Sequence, residues 1–526
     1  MLLPHPSILL TSRAITGNVT SAEVSVAYGQ PKYAERLDRQ LPALSIEMDR
    51  WPDWSGPKVG QPNPFVNNIF AQVTERTGAA MYLRVGANSE DRARINLTYE
   101  VVNLTFPAPT PDTPAPEASS ISIGRDWYRL SANLPDGTDF HWGVNYKVQN
   151  ETETQAQIRL LAAAFQGGSK LKVNLRELEV GNEVDLADRG STAPPSTPQS
   201  YVSYWNKQIK AAMSSGAITL GSASGTYLSP GAFARSIRFN TNWIFTAMSV
   251  FSAGLLNDGA VAAVTKQYTG HLYSASYNAA FAVQPGVLMD KVNVRGNLST
   301  RVADAVLARK EGLVYVLGES NSYSNHGAPG ASNTAEATLW GTDYMLYAAS
   351  NGIERVHFHN GRGFAYSVVQ PSILNGSGLD DGLSHPDRPH IAPLWNSFLI
   401  VGEAIGTSGN SYVAELGTNS SALAAYGIYE DNYLRRIVLV NSQVYLATTQ
   451  GGRQGLNVSL SGWTAGQYAT VKRFTAPYTN STSGLSWAGQ NFDTASGSPE
   501  GSVVEVPVNG STISVEASSI ALICLK

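Results

Sequence analysis

The chain has 526 residues, 43% of them hydrophobic and 15% charged, enough for one large domain with a smaller companion. A net charge of −4 offers no basic footprint for nucleic acid or anionic lipid. The single cysteine, Cys524, excludes an internal disulfide framework and a cysteine-based zinc site, and no run reaches the roughly 18 uncharged apolar residues of a membrane span.

Met1–Leu10 is too short for a signal peptide and lacks a basic start. Ala22–Tyr28 alternates like a strand, which cannot stand alone and is expected to join a sheet elsewhere. From about Pro42 to Gly406 strands and helices then alternate. Leu44–Glu47 is a short apolar run. Asn63-Pro64 opens a helix with proline at its first position, Phe65, Val66, Ile69, Phe70 and Val73 carry its apolar face, and Gly78 ends it. Met81–Val85 and Phe140–Tyr146 read as further strands, separated by a Pro-rich surface loop over 106–120. Val173–Glu183 is the fourth strand, and Thr197-Pro198 caps the helix after it. Ile218–Ser222, Val261–Tyr268, Leu313–Glu319 and Ile353–His359 supply strands five to eight. Eight βα units predict an α/β fold, a (β/α)8 TIM barrel. An open doubly wound sheet would want a Gly-rich turn after its first strand, and none is present.

After Gly406 the helical period disappears. Alternating runs at Arg435–Tyr445, Leu456–Leu460, Tyr468–Ala476, Ser502–Val508 and Thr512–Leu525 predict a C-terminal antiparallel β-sandwich. The expected organisation is an N-terminal strand within 1–30 that joins the sandwich, a catalytic barrel over 31–407 and the sandwich over 408–526.

Two phrases carry chemistry: Gly181-Asn182-Glu183 and Gly318-Glu319-Ser320-Asn321, each after an apolar strand. Active sites of βα barrels form at the carboxyl ends of strands. Glutamates ending strands four and seven can therefore meet there, as the acid and the nucleophile of a glycosidase must. Asn182 beside Glu183 suits a partner for a sugar 2-hydroxyl. The pair alone leaves open a neutral-sugar β-glycosidase or a carbohydrate-binding protein without turnover. The three aspartates and two histidines of Leu379–His390 match no metal-ligand spacing, and nothing in the sequence calls for a cofactor. Sequons begin at Asn18, Asn96, Asn103, Asn150, Asn297, Asn375, Asn419, Asn457, Asn480 and Asn509. With the polar, weakly charged composition, they favour a secreted protein that carries N-glycans.

LEVGNEVDL (178–186), YVLGESNSYS (315–324), RVHFHNGRGFAYS (355–367), VKRFTAPY (471–478) and LSWAGQNF (485–492) resemble the β-glucuronidases of glycoside hydrolase family 79, chiefly the fungal members and more distantly heparanase. The resemblance spans nearly the whole chain. It implies a retaining exo-acting enzyme that removes glucuronate or 4-O-methyl-glucuronate from a glycan, with Glu183 as acid/base, Glu319 as nucleophile and about 5–5.5 Å between their carboxyls. The resemblance further implies that Glu47 binds ring hydroxyls, that Tyr268 orients Glu319 and that Tyr366 helps to hold the sugar. For the sugar's carboxylate it points to the loop Ser320–Gly327, with Asn321, Ser322 and Tyr323 as donors and His359 and Arg362 as alternatives.

Overall fold

The computed structural model describes residues 19–110, 116–168, 171–186, 197–234, 244–278, 280, 282–374, 387–463 and 468–526. Met1–Leu10, the sequons at Asn18 and Asn375, and most of the Leu379–His390 segment lie outside them.

Parallel strands run in sequence order around a barrel: Pro42–Glu47, Tyr82–Gly86, Asp139–Val144, Asn174–Val180, a two-piece fifth strand, Gln267–Ser276, Val314–Ser324 and Arg355–Asn360. Strand eight pairs back onto strand one, Val356 opposite Pro42. Closure on the other side falls to the fifth strand. Its first piece, Tyr227–Leu228, pairs with strand four, and its second, Gly231–Phe233, pairs with strand six. Ser229-Pro230 crosses between them, with the Ser229 N–H donating to Leu178 and the Pro230 carbonyl accepting from Thr269.

Two strands are not where the apolar runs suggested. Ile218–Ser222 is irregular chain entering a turn with left-handed Gly221 and Gly225, so the fifth strand starts later. Gly259–Val264 is a short helix, because Asp258 accepts from the Ala260 and Val261 N–H groups and caps it. Strand six therefore begins at Gln267 and runs on to Ser276. A short apolar run does not distinguish a strand from one turn of buried helix.

Helices Pro64–Thr77, Glu151–Gln166, Pro198–Ser214, Lys291–Lys310, Ala335–Ser350 and Trp395–Ile405 cover the barrel. The first four start on side-chain caps: the Asn63 side chain accepts from Phe65 and Val66, Asn150 from Glu153 and Asp290 from Val292 and Asn293, and Thr197 forms a capping box with Ser200. After strand two the chain leaves the barrel to make a small sheet of Ala93–Ile95, Val102–Thr105 and Ser120–Ile123, whose hairpin contains the Pro-rich segment.

The C-terminal domain has two sheets. The larger contains Ser411–Glu415, Leu423–Glu430, Tyr433–Asn441, Ser519–Leu525 and Ala469–Thr475, all antiparallel to their neighbours, with Glu35–Arg36 on its edge. In the smaller, Gly455–Ser461 pairs antiparallel with Thr512–Glu516 and parallel with Ser21–Ser25. Val24, Leu439, Leu456, Val458, Val515 and Ile523 form the core between them. The alternation of Gly455–Ser461 follows from that packing: one face meets the other sheet and the other face meets solvent.

Candidate active site

Strand two supplies the centre of the site. Arg84, fully buried, donates from Nη1 to Glu319 Oε2 at 3.0 Å and to Ser45 Oγ at 3.1 Å. Its Nε and Nη2 grip Glu179 Oε1 at 2.9 and 2.6 Å, and Nη2 also donates to Asn182 Oδ1 at 2.7 Å. One guanidinium thus aligns strands one, two, four and seven. Burial alone would raise the Glu179 carboxyl, but Arg84 and His141 hold it down at about 2. The anion is the fixed counter-charge that keeps Arg84 in place.

Glu183 and Glu319 converge as expected of the two strand ends. His271 on strand six lies between them, its Nδ1 3.1 Å from Glu183 Oε1 and 4.0 Å from Glu319 Oε2. One donor atom from each of the three falls within 4.8 Å of the others. Glu183 has a left-handed backbone, φ 43°, after Gly181 at φ 98°. Its N–H donates to Ala232 of the split fifth strand at 2.8 Å. A non-glycine residue in that region is strained, and strain of this kind persists where surrounding contacts hold it.

Glu319 is surrounded by donors and cations. Tyr273 Oη donates to its Oε1 at 2.8 Å, and His359 Nδ1 lies 3.8 Å from Oε2. Burial would push the Glu319 carboxyl up; His359, His271 and Arg84 more than offset that and the repulsion of Glu183, so it sits below the ordinary carboxylate range. It is an anion aimed at the mouth. Burial pulls the His359 imidazole down, but Glu319 and Glu47 outweigh it and hold its pKa above the usual value. Its Nε2 is 3.3 Å from Glu47 Oε1, while Ser89 donates through N–H and Oγ to Glu47 Oε2. Burial, then the Glu117 charge, keep the Glu47 carboxyl above its ordinary range.

Glu47, Asn182, Glu183, Glu319 and His359 therefore share one ring of strand ends. Tyr366 joins at the rim, its ring centroid 5.9 Å from that of Tyr273 and 6.0 Å from that of His359. Tyr268 does not. With strand six shifted, it is the second residue of that strand, opposite Tyr315 and well below the His271–Glu319 pairing. It packs on Phe251 and Tyr315 in the barrel core. Tyr273, five residues further along the same strand, takes the position beside Glu319.

The expected carboxylate loop is also displaced. Strand seven continues to Ser324, so Asn321, Ser322 and Tyr323 are strand residues. Asn321 Nδ2 bridges the carbonyls of His359 and Tyr366 at 3.0 Å each, and its Oδ1 accepts from the Ser322 N–H at 2.8 Å. Ser322 Oγ donates to Ser332, and Tyr323 packs in the core beside Glu336. The side chains of Asn321 and Ser322 thus brace the rim itself. Arg362 turns away and donates to the Ile373 carbonyl at 2.8 Å, because the chain after strand eight loops outward there. His359 faces the two glutamates rather than a separate anion seat.

Arg84, His271 and Tyr273 are the functional side chains that motif reading passed over. His271-Leu272-Tyr273 has a signal: two polar side chains at i and i+2 point to the same face of a strand. Among the described residues the grouping capable of holding a metal is Glu183, His271 and Glu319. The Arg84 charge 3.0 Å from Glu319 opposes a cation there.

One carboxylate poised for attack, a second carboxyl close to it and buried donors around both suit acid-assisted displacement at an acetal carbon. Residues 425–522 match the glycosyl hydrolase family 79 C-terminal β domain. A β-glucuronidase of Neurospora crassa is 30% identical over 434 residues, 78% of this chain and 73% of that protein. A β-glucuronidase of Aspergillus niger is 26% identical over 506 residues, 88% of this chain and 86% of that one. The crystal structure of a 4-O-α-L-rhamnosyl-β-D-glucuronidase from Fusarium oxysporum superposes with a TM-score of 0.76 at 20% identity, covering 96% of this chain and 100% of that one, and shows the same fold.

Proposed function

Because the chain belongs to glycoside hydrolase family 79, we propose that it is a retaining exo-β-glucuronidase that removes terminal β-linked glucuronic acid from glycans. The observation that carries this reading is the close Glu183–Glu319 pair, bridged by His271, with Arg84 and Tyr273 fixing Glu319 as the anion. One oxygen of each carboxyl lies within 4.8 Å of the other, which supports the close spacing of a retaining pair over the roughly 6.5–9.5 Å of an inverting one.

In the first step Glu319 Oε attacks the anomeric carbon and forms a glycosyl ester as the bond to the leaving oxygen breaks. Glu183 gives its proton to that oxygen. In the second step Glu183 takes a proton from water, whose oxygen displaces Glu319 from the same carbon. Tyr273 donates to Oε1, leaving the other oxygen with Arg84, so the carboxylate plane stays set throughout. Glu47 and Asn182, on the ring of strand ends, are placed for the sugar's hydroxyls.

For the C6 carboxylate we assign the turn Asn325-His326-Gly327. All three residues have positive φ, 61°, 67° and 89°. Neither the Asn325 nor the Gly327 N–H donates to another described residue. The turn packs against Tyr366 and, through His326 stacked on Phe364 at 3.8 Å, against the rim. We also propose secretion and N-glycosylation. Asn103, Asn150, Asn457 and Asn509 are exposed acceptors, whereas Asn297 is buried and donates to the Tyr273 carbonyl at 2.9 Å.

The test is hydrolysis of matched aryl β-glucuronide, β-glucoside and β-xyloside, with NMR of the first-released anomer. Preference for the glucuronide with β-anomer first is the expected result. A glucoside rate equal to the glucuronide rate removes the specificity, and α-anomer first removes retention.

A further inference from the structure

We propose that Glu90, in the turn Asn88–Arg92 after strand two, is a positioning residue that pins this turn as a neutral carboxylic acid and so leaves the Arg84 charge to Glu179 and Glu319. Fully buried, Glu90 does not reach substrate. The inference rests on the glucuronidase reading above for its activity measurements only.

Ala87 leads into the turn with φ 65°, and the side chains after it face two ways. Asn88 Oδ1 accepts from Asn182, beside the acid/base, at 3.4 Å, and the Ser89 N–H donates to Glu47 Oε2 at 3.1 Å. Glu90 turns inward between strands two and three. A Cβ on Gly86 of strand two or on Gly143 of strand three would overlap its Oε2, so the two glycines make the niche that the carboxyl fills. Neither carboxyl oxygen has a hydrogen-bond partner among the described residues. A buried carboxylate needs donors, so a niche that offers none suits the uncharged acid.

The nearby cations are already committed. Every N–H of the Arg84 guanidinium has an acceptor: Nε on Glu179, Nη1 on Ser45 and Glu319, Nη2 on Glu179 and Asn182. Lys147 Nζ lies 3.0 Å from Asp91 Oδ2. Glu179 of strand four, Asp91 of the turn itself and Tyr128 of the short helix Tyr128–Asn133 also face Glu90, and Asp49 meets the turn at Ser89. Burial first, then Glu179 and Asp91, raise the Glu90 carboxyl well above the ordinary carboxylate range, and Arg84 and Lys147 do not bring it back. Ionised, Glu90 would be a further anion around Arg84 and would weaken the hold on Glu319. Protonated, it fills the niche and keeps Asn88 and Ser89 at the mouth.

The experiment measures urea unfolding and kcat/KM on an aryl β-glucuronide for the native chain, Glu90→Gln and Glu90→Ala. A carboxyl raised in the folded state gives stability that is complete below its unfolded pKa and lost as pH rises towards its folded one, and glutamine loses none. The native unfolding constant is therefore expected to grow about ten-fold or more relative to that of Glu90→Gln between about pH 4.5 and about pH 8. Glu90→Ala empties the niche and is expected to lose about ten-fold or more in kcat/KM, whereas Glu90→Gln, the neutral isostere, stays within about two-fold of native. An unfolding ratio independent of pH overturns the proposal, whether or not Glu90→Ala folds. So does a Glu90→Gln chain that fails to fold or loses as much activity as Glu90→Ala, because the charge would then be required. Native activity in Glu90→Ala removes the positioning role. No turnover by the native chain is a different failure, that of the glucuronidase reading, and the unfolding ratio still decides whether Glu90 is neutral.

Discussion

His359 touches two carboxylates at once, and its charge has separate consequences for each. Towards Glu319 it acts across 3.8 Å and helps to keep the nucleophile ionised against a desolvating environment. Towards Glu47 it acts at 3.3 Å, keeping a sugar-binding carboxyl fixed. Since burial lowers the imidazole but Glu319 and Glu47 raise it further, His359 is cationic above the pH at which an ordinary imidazole loses its proton. His359→Gln removes the largest influence holding the Glu319 pKa down apart from the opposing burial. The acidic limb of kcat/KM, which reports the free enzyme's essential base, is then expected to move to higher pH, with KM raised through Glu47. An unchanged acidic limb with normal folding would show that Arg84 and His271 alone set the nucleophile. At this scale Glu183 and Glu319 were legible because each is a polar break after an apolar strand. Arg84 was not: inside the run Tyr82–Gly86 a lone arginine looks like a surface residue, and only the convergence of four strands reveals its partners.

Among the elements, the divided fifth strand does most to place the acid/base. Gly231 starts its second piece with φ 112°, and a Cβ there would lie 2.2 Å from the Thr269 carbonyl oxygen of strand six. The next residue, Ala232, accepts the Glu183 N–H. Gly231→Ala must push strand five from strand six and drag the strained Glu183 turn with it. The expected cost is about 2 kcal/mol or more of stability, read from urea denaturation, with a fall in kcat larger than the change in KM. Native kcat in a destabilised variant would detach the strand from the catalytic geometry. This element also explains the errors along the chain. Pieces as short as Tyr227–Leu228 and Gly231–Phe233, parted by Ser-Pro, hold no period to read, and the nearest apolar run, Ile218–Ser222, drew the assignment instead. Long strands with a buried face, four and seven above all, were legible. Strand six was half so, and its displacement moved the tyrosine assignment from Tyr273 to Tyr268.

On the scale of the molecule, barrel and β domain are joined by buried charge. Arg295, on helix Lys291–Lys310, pairs with Asp343 of helix Ala335–Ser350 and with Glu415 Oε1 of the β domain at 2.7 Å, and donates to Tyr426 Oη, also in the β domain, at 2.7 Å. Its guanidinium lies over the Tyr347 ring, 4.5 Å from the centroid. A second junction gathers Trp487 and Lys472 of the β domain on Glu403 of helix Trp395–Ile405, with the Trp487 indole donating at 2.9 Å. The two junctions grip the helices that follow strands six, seven and eight. The β domain therefore backs the half of the barrel that carries Glu319 and His359. Composition could announce the second domain but not these contacts, because they join residues between 48 and 131 positions apart. Arg295→Met keeps the packing volume and removes the charge, leaving the buried Asp343 without its ion-pair partner, while Glu415 keeps Lys291 at 3.6 Å. The expected loss is about 3 kcal/mol in denaturation, partly recovered in the double variant Arg295→Met/Asp343→Asn, because neutralising Asp343 relieves the uncompensated charge. Since Arg295 touches neither glutamate of the pair, kcat at 25 °C should stay near the native value while the unfolding midpoint falls. Equal losses in the single and double variants would mean that packing over Tyr347, not charge, makes the junction.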